Sequence, residues 1–177
     1  MRNKNRARKI DGRAEKLLRD IGQFKAPVNI GAVAEACNAR VVYEDLDNDV
    51  SGFLLREQGS NTIAINKQHP PNRQRFTFAH EIGHLVLHAD QGDRLWLDKA
   101  YYFRDGSSSK GDQAAEVQAN QFAAGLLMPE ELVKAEVGET AQISEVDVVR
   151  LALKFEVSER AMTFRLISLN LLEPIAA

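Results

Sequence analysis

A single cysteine, Cys37, in 177 residues excludes an intrachain disulfide and fits a reducing cytoplasm. Its apolar neighbours make it a small core residue rather than a nucleophile. The chain has no run of 18 apolar residues, which excludes a transmembrane helix. Its N-terminus lacks the apolar segment and cleavage site of a secretory signal. Charge of neither sign dominates: 23 Lys and Arg face 25 Asp and Glu, so no global field recruits nucleic acid. Repeats and low-complexity tracts are missing as well. Histidine is scarce, and all four (His69, His80, His84 and His88) fall within one short stretch. The remaining composition, 44% hydrophobic and 27% charged, suffices for one well-buried core with at most a small appendage.

The clustered histidines spell a pattern. Residues His80-Glu81-Ile82-Gly83-His84 read H-E-x-x-H. On a helix, positions i and i+4 lie one turn apart on the same face, so two imidazoles placed there can share one metal ion. Glu81 lies about 100° around the helix from His80 and about 60° from His84. Its carboxylate is therefore placed to serve as a general base beside a metal, the arrangement of a metalloprotease.

The flanking sequence supplies the helix. Pro70-Pro71 breaks whatever precedes it, and Asn72 is the expected N-cap. Phe78, Ala79, Ile82, Leu85 and Val86 make an apolar face at helical spacing, which turns the histidines inward. Gly83 costs about 1 kcal/mol against Ala in a helix interior, and its expected use is to let another segment approach closely.

A catalytic zinc has three protein ligands. His88, His69 and a downstream carboxylate are the candidates for the third. A helix over Gly111 to Met128 has a broad apolar surface interrupted by Glu116, with Asn120 one turn later. A buried carboxylate needs a partner, and a divalent cation is one. His88 continues the i, i+4, i+8 series but drifts about 40° per four residues. It is read as supporting the ligands rather than joining them, and His69 as a loop residue.

The segments Arg75–His88 and Glu116–Pro129, in that order, resemble the ImmA/IrrE family of metallopeptidases, and the resemblance extends from about Pro27 to Leu172. It implies that His80, His84 and Glu116 bind zinc and that Glu81 is the catalytic base, with Asn120 supporting the ligands. Zn2+ is the expected ion, and two His with one carboxylate also suit Mn2+ or Fe2+. The family is implicated in cutting helix-turn-helix repressors, which relieves repression, and some members sit in toxin–antitoxin-like pairs. The rival reading is a non-proteolytic protein that complexes such a regulator.

The remaining sequence suggests an α+β fold: a small antiparallel sheet packed against helices, with a helical C-terminal part resembling a helix-turn-helix. Residues 1–9, with five basic side chains, are read as a flexible arm, 10–129 as the peptidase core and 130–177 as helices packed on it. Strands are expected at Val41–Tyr43, Gly52–Leu55 and Thr62–Ile65, the latter two joined by a turn at Gln58-Gly59-Ser60-Asn61. His88 to Asp112 reads as an irregular loop, in which Tyr101 and Tyr102 are candidates to contact substrate or the oxyanion. For the C-terminal helices, core completion or docking of a repressor is preferred to direct DNA recognition, because no dense basic face is present.

Overall fold

The computed structural model describes residues 2–88, 94–99, 110–138 and 142–173. Along the chain run α1 (Arg2–Asp20), α2 (Ile30–Ala36), β1 (Ala39–Glu44), β2 (Val50–Glu57), β3 (Ser60–Asn66), α3 (Pro71–Leu87), β4 (Arg94–Lys99), α4 (Lys110–Leu127), α5 (Glu130–Val137), α6 (Glu145–Phe155) and α7 (Glu159–Ser168). The fold is α+β.

Helix α1 includes most of the segment expected as a basic arm. From Arg2 onward the segment is helical. Arg, Lys and Ala are strong helix formers and nothing before Ile10 breaks the pattern. Ile10, Ala14 and Leu18 anchor its second half in the core.

The sheet is mixed rather than antiparallel, with strand order β1-β3-β2-β4. The chain reverses direction between β1 and β2, and the β2–β3 hairpin then folds β3 into the gap. That placement makes β3 antiparallel to β2 and parallel to β1. The Asn66 amide holds the reversing segment by donating to the carbonyls of Leu46, Asp47 and Val50 at 3.3, 3.2 and 2.9 Å. The hairpin turn is the two-residue pair Gln58-Gly59, both with positive φ, as a type I′ connection requires. Strand β4 lies within the stretch expected to be irregular. It pairs antiparallel with β2 at the sheet edge, Trp96 opposite Leu54.

Helix α3 starts two residues earlier than expected. Pro70 takes the N-cap position and Pro71 the first turn, where a missing N–H costs nothing. Its centre, Thr77 to Leu85, is buried at nine consecutive residues, so the helix is enclosed on every side rather than along one face. Strands β2 and β3 pack on one side of it and α4 on the other, with α1 beyond α4.

The C-terminal helices join the same core. Leu151, Phe155, Met162 and Leu166 belong to one buried cluster with Leu18, Ile82 and Phe122. Ser144 caps α6 in a capping box with Asp147, Glu156 turns the chain in the left-handed region at φ 52°, and Ser158 caps α7. Of the three charged residues that the sequence places on α7, Arg165 is not on the surface. It is 2% exposed.

Candidate metal centre

Two helices build the site. Helix α3 presents His80 and His84 one turn apart, and α4 presents Glu116 opposite them. Close approach of the two is possible because residue 83 is glycine: a Cβ there would lie 3.0 Å from the Ala119 carbonyl oxygen and 3.1 Å from its Cα. The segment expected to come near Gly83 is thus α4 itself.

His80 Nε2 lies 3.2 Å from Glu116 Oε2, His84 Nε2 lies 3.2 Å from Glu116 Oε1, and the two Nε2 atoms are 3.0 Å apart. His80 and His84 are buried and Glu116 is partly exposed. On the opposite edge of the first imidazole, His80 Nδ1 donates to Asn120 Oδ1 at 3.0 Å. With a proton held on Nδ1 by Asn120, Nε2 is the His80 nitrogen that would take a metal. Such partners orient a metal-binding histidine and select its tautomer. Glu81 is wholly buried on α3.

The protonation states suit metal binding. Burial pushes the His84 imidazole down to about 4, against the opposing pull of Glu116. Burial pushes the Glu116 carboxyl up, but hydrogen bonds from His80 and His84 outweigh it and hold the group at about 2. At neutral pH the cluster therefore holds a neutral imidazole at His84 and a carboxylate, the forms that ligate metals.

The donor set fits an ion. Tetrahedral bonds of about 2.0–2.2 Å separate ligand atoms by about 3.3 Å, close to the spacings found here. Among the described residues, these three form the group that can hold a metal.

The other sequence candidates fall around or outside this group. His88 caps α3 and is buried, its ring centroid 5.6 Å from that of His84, and it is not one of the three converging donors. His69 lies in the turn before α3, with Nε2 3.4 Å from the Asn48 carbonyl oxygen. Tyr101 and Tyr102 lie outside the described residues.

A second buried polar group escaped the sequence reading. Arg165 Nη1 donates to Asp11 Oδ2 at 2.9 Å, Arg165 Nε donates to the Met128 carbonyl at 2.9 Å, and Gln121 donates to Asp11 Oδ1 at 2.7 Å. The two charges lie 154 positions apart in the chain. A polar residue, Asp11, inside the apolar stripe of α1 was the available signal.

The chain is similar to known proteins over most of its length. The family model described as IrrE N-terminal-like domain matches residues 34–167. The radiation response metalloprotease IrrE of Deinococcus radiodurans is 36% identical over 106 residues, 60% of this chain and 30% of the relative. Its counterpart in Deinococcus deserti is 41% identical over 73 residues, covering 41% of this chain and 24% of the relative. An uncharacterized immunity region protein 2 of Bacillus phage phi105 is 27% identical over 101 residues, 57% of this chain and 59% of that protein. The chain thus spans less than a third of the two IrrE proteins. A Mycobacterium tuberculosis transcriptional regulator shares the fold, with a TM-score of 0.63 at 19% identity over 90% of this chain and 47% of that one. With the family model matched over three-quarters of its length and the H-E-x-x-H helix facing Glu116, the chain belongs to the ImmA/IrrE family.

Proposed function

We propose that this chain is a zinc-dependent endopeptidase that cleaves a helix-turn-helix repressor in the cytoplasm and so relieves repression. The observation supporting it is the convergence of His80, His84 and Glu116 with Glu81 buried on the same helix. His80 and His84 hold the ion through Nε2 and Glu116 through its carboxylate, a set that also suits manganese or iron. A bound divalent ion supplies Lewis acidity, which acidifies water and polarises a carbonyl. Asn120 keeps the His80 proton on Nδ1, so that Nε2 would be the ligating nitrogen. The Glu81 carboxylate accepts a proton from the attacking water and returns it to the leaving amine. Among the described residues no strand pairs with the outer edge of β4, which offers an extended peptide a place to add to the sheet.

The names of two relatives, a radiation response metalloprotease and an immunity region protein, fit a protease whose cutting changes gene expression. The rival reading, a non-proteolytic partner-binding protein, draws on α6, where Val146 and Leu153 are 77% and 75% exposed at helical spacing with Val149 between them.

The test combines metal content and cleavage. Elemental analysis after zinc add-back is expected to find about one zinc per chain in the wild type and in Glu81→Gln, and little in Glu116→Ala. Wild type is expected to cut a helix-turn-helix repressor or a mixed peptide library. Glu81→Gln is expected to lose about 10²–10⁴-fold in rate, the usual worth of a general base. Undiminished cleavage by Glu81→Gln would falsify its assigned role. A repressor bound stoichiometrically and left intact by the zinc-loaded wild type would favour the rival.

A further inference from the structure

A cavity of about 890 Å³ opens between the start of α3, the end of α4 and α7. It is separate from the three converging metal donors, none of which lines it. Its volume is in the range of small-molecule sites, roughly 300–1,000 Å³. The walls are mainly apolar, with Phe76, Met128 and Phe164 contributing large surfaces. The charged residues on those walls are all of one sign: Arg73, Arg160 and Arg165. Phe164 is 60% exposed, with the Arg160 guanidinium 5.5 Å from its ring centroid.

Arg165 carries the strongest signal. It is 2% exposed, and Nη1 and Nε are both engaged in the buried network around Asp11. Its third nitrogen, Nη2, is buried and has no hydrogen-bond partner among the described residues. A buried guanidinium N–H without a partner is costly, and buried polar groups are nearly always satisfied. An anionic head group that reached this nitrogen from the cavity would satisfy it. Arg73 and Arg160 at the more exposed part of the wall add charge of the matching sign, and guanidinium groups pair well with carboxylates and phosphates.

We propose that this cavity binds a small amphipathic anion, with its carboxylate or phosphate head toward Arg165 and its apolar body against Phe76, Met128 and Phe164. The cavity wall includes the first turns of α3, so the ligand sits against the helix that carries His80 and His84. This site is independent of whether the chain is a peptidase.

The test is calorimetric titration of the whole chain with decanoate and with decyl phosphate, below their micellar concentrations, and with decanol as the uncharged control. One-to-one saturable binding of at least one anion, tenfold or more tighter than decanol, is expected; the tighter anion identifies the head group. The double variant Arg73→Gln/Arg160→Gln alters exposed residues and is expected to weaken anion binding about tenfold. Ala161→Trp, which fills the cavity from α7, is expected to abolish it with the thermal midpoint unchanged. No saturable binding, decanol binding as tightly as the anions, or affinity untouched by the double arginine variant overturns the proposal. A wild-type dimer in sedimentation that Ala161→Trp dissociates also overturns it, making the cavity an interface between copies.

Discussion

Helix α4 takes part in two buried polar groups that solve the same problem in opposite ways. Near its start, Glu116 faces two imidazoles, and these are its ion-pair partners among the described residues. One turn further on, Gln121 joins Asp11 and Arg165, where a carboxylate meets a permanently charged guanidinium at 2.9 Å. The second group is neutralised from within the chain. The first, with His84 neutral, gathers lone pairs and one negative charge, a set that a divalent cation would balance. A buried carboxylate that the fold pairs with a guanidinium is held for stability, whereas one set against a neutral imidazole suits a cation.

The largest way to break this comparison is Arg165→Ala. It strands Asp11 beside the core, and loss of one member of a buried pair costs about 3–5 kcal/mol. Urea unfolding is expected to show that loss, while zinc content per folded chain stays at the wild-type value. Zinc lost in parallel with an unaltered unfolding midpoint would reverse the two roles.

Gly83→Ala tests the seam between α3 and α4. A Cβ only 3.0 Å from the Ala119 carbonyl oxygen forces the helices apart. Overpacking of this kind costs about 1–3 kcal/mol. Here stability and zinc affinity are expected to fall together, since the same displacement moves Glu116 away from the histidines. A variant as stable as wild type with undiminished zinc affinity would show that the seam has slack.

Asn120→Ala is expected to be gentler. Loss of a partner that orients a ligand typically lowers metal affinity about 10–100-fold. Competition with a chromophoric chelator reads this directly, and unchanged affinity would mean that His80 holds its tautomer without help.

The smallest expected effect is that of pH on the metal-free protein. His84 is depressed to about 4 from 6.5, so between those values the unfolded chain takes up a proton that the folded one refuses. Stability from this group is complete above pH 6.5 and declines as pH falls through the window. Glu116, depressed to about 2 from 4.5, adds a further loss below pH 4.5. Urea midpoints of chelator-treated protein are expected to be level above pH 6.5 and to drop toward pH 4.5, with a shallower slope in His84→Gln. Equal slopes in the two proteins would remove His84 as the cause.

The sequence made the metal helix legible because its chemistry is local. His80, Glu81 and His84 lie within five positions. Two strands and their turn were equally plain, since Gln58-Gly59 satisfies the hairpin by itself. Long-range features were hidden. Nothing near Val41 announces that β3 will lie beside it and make the sheet mixed, and the six residues of β4 are too short to stand out in a glycine- and serine-rich stretch. The burial of Arg165 has no local signal because its partner Asp11 lies 154 positions away in the chain. The basic run before Ile10 is helical because its Arg, Lys and Ala are strong helix formers.

The unequal burial of the donors sets the traffic at the site. The His80 and His84 side chains are 3% and 1% exposed, while that of Glu116 is 21% exposed. With nine buried residues in succession, the middle of α3 cannot fray to admit anything. At the proposed metal site an ion would meet the Glu116 carboxylate before either imidazole, so that α4 rather than α3 would set the rate of metal exchange.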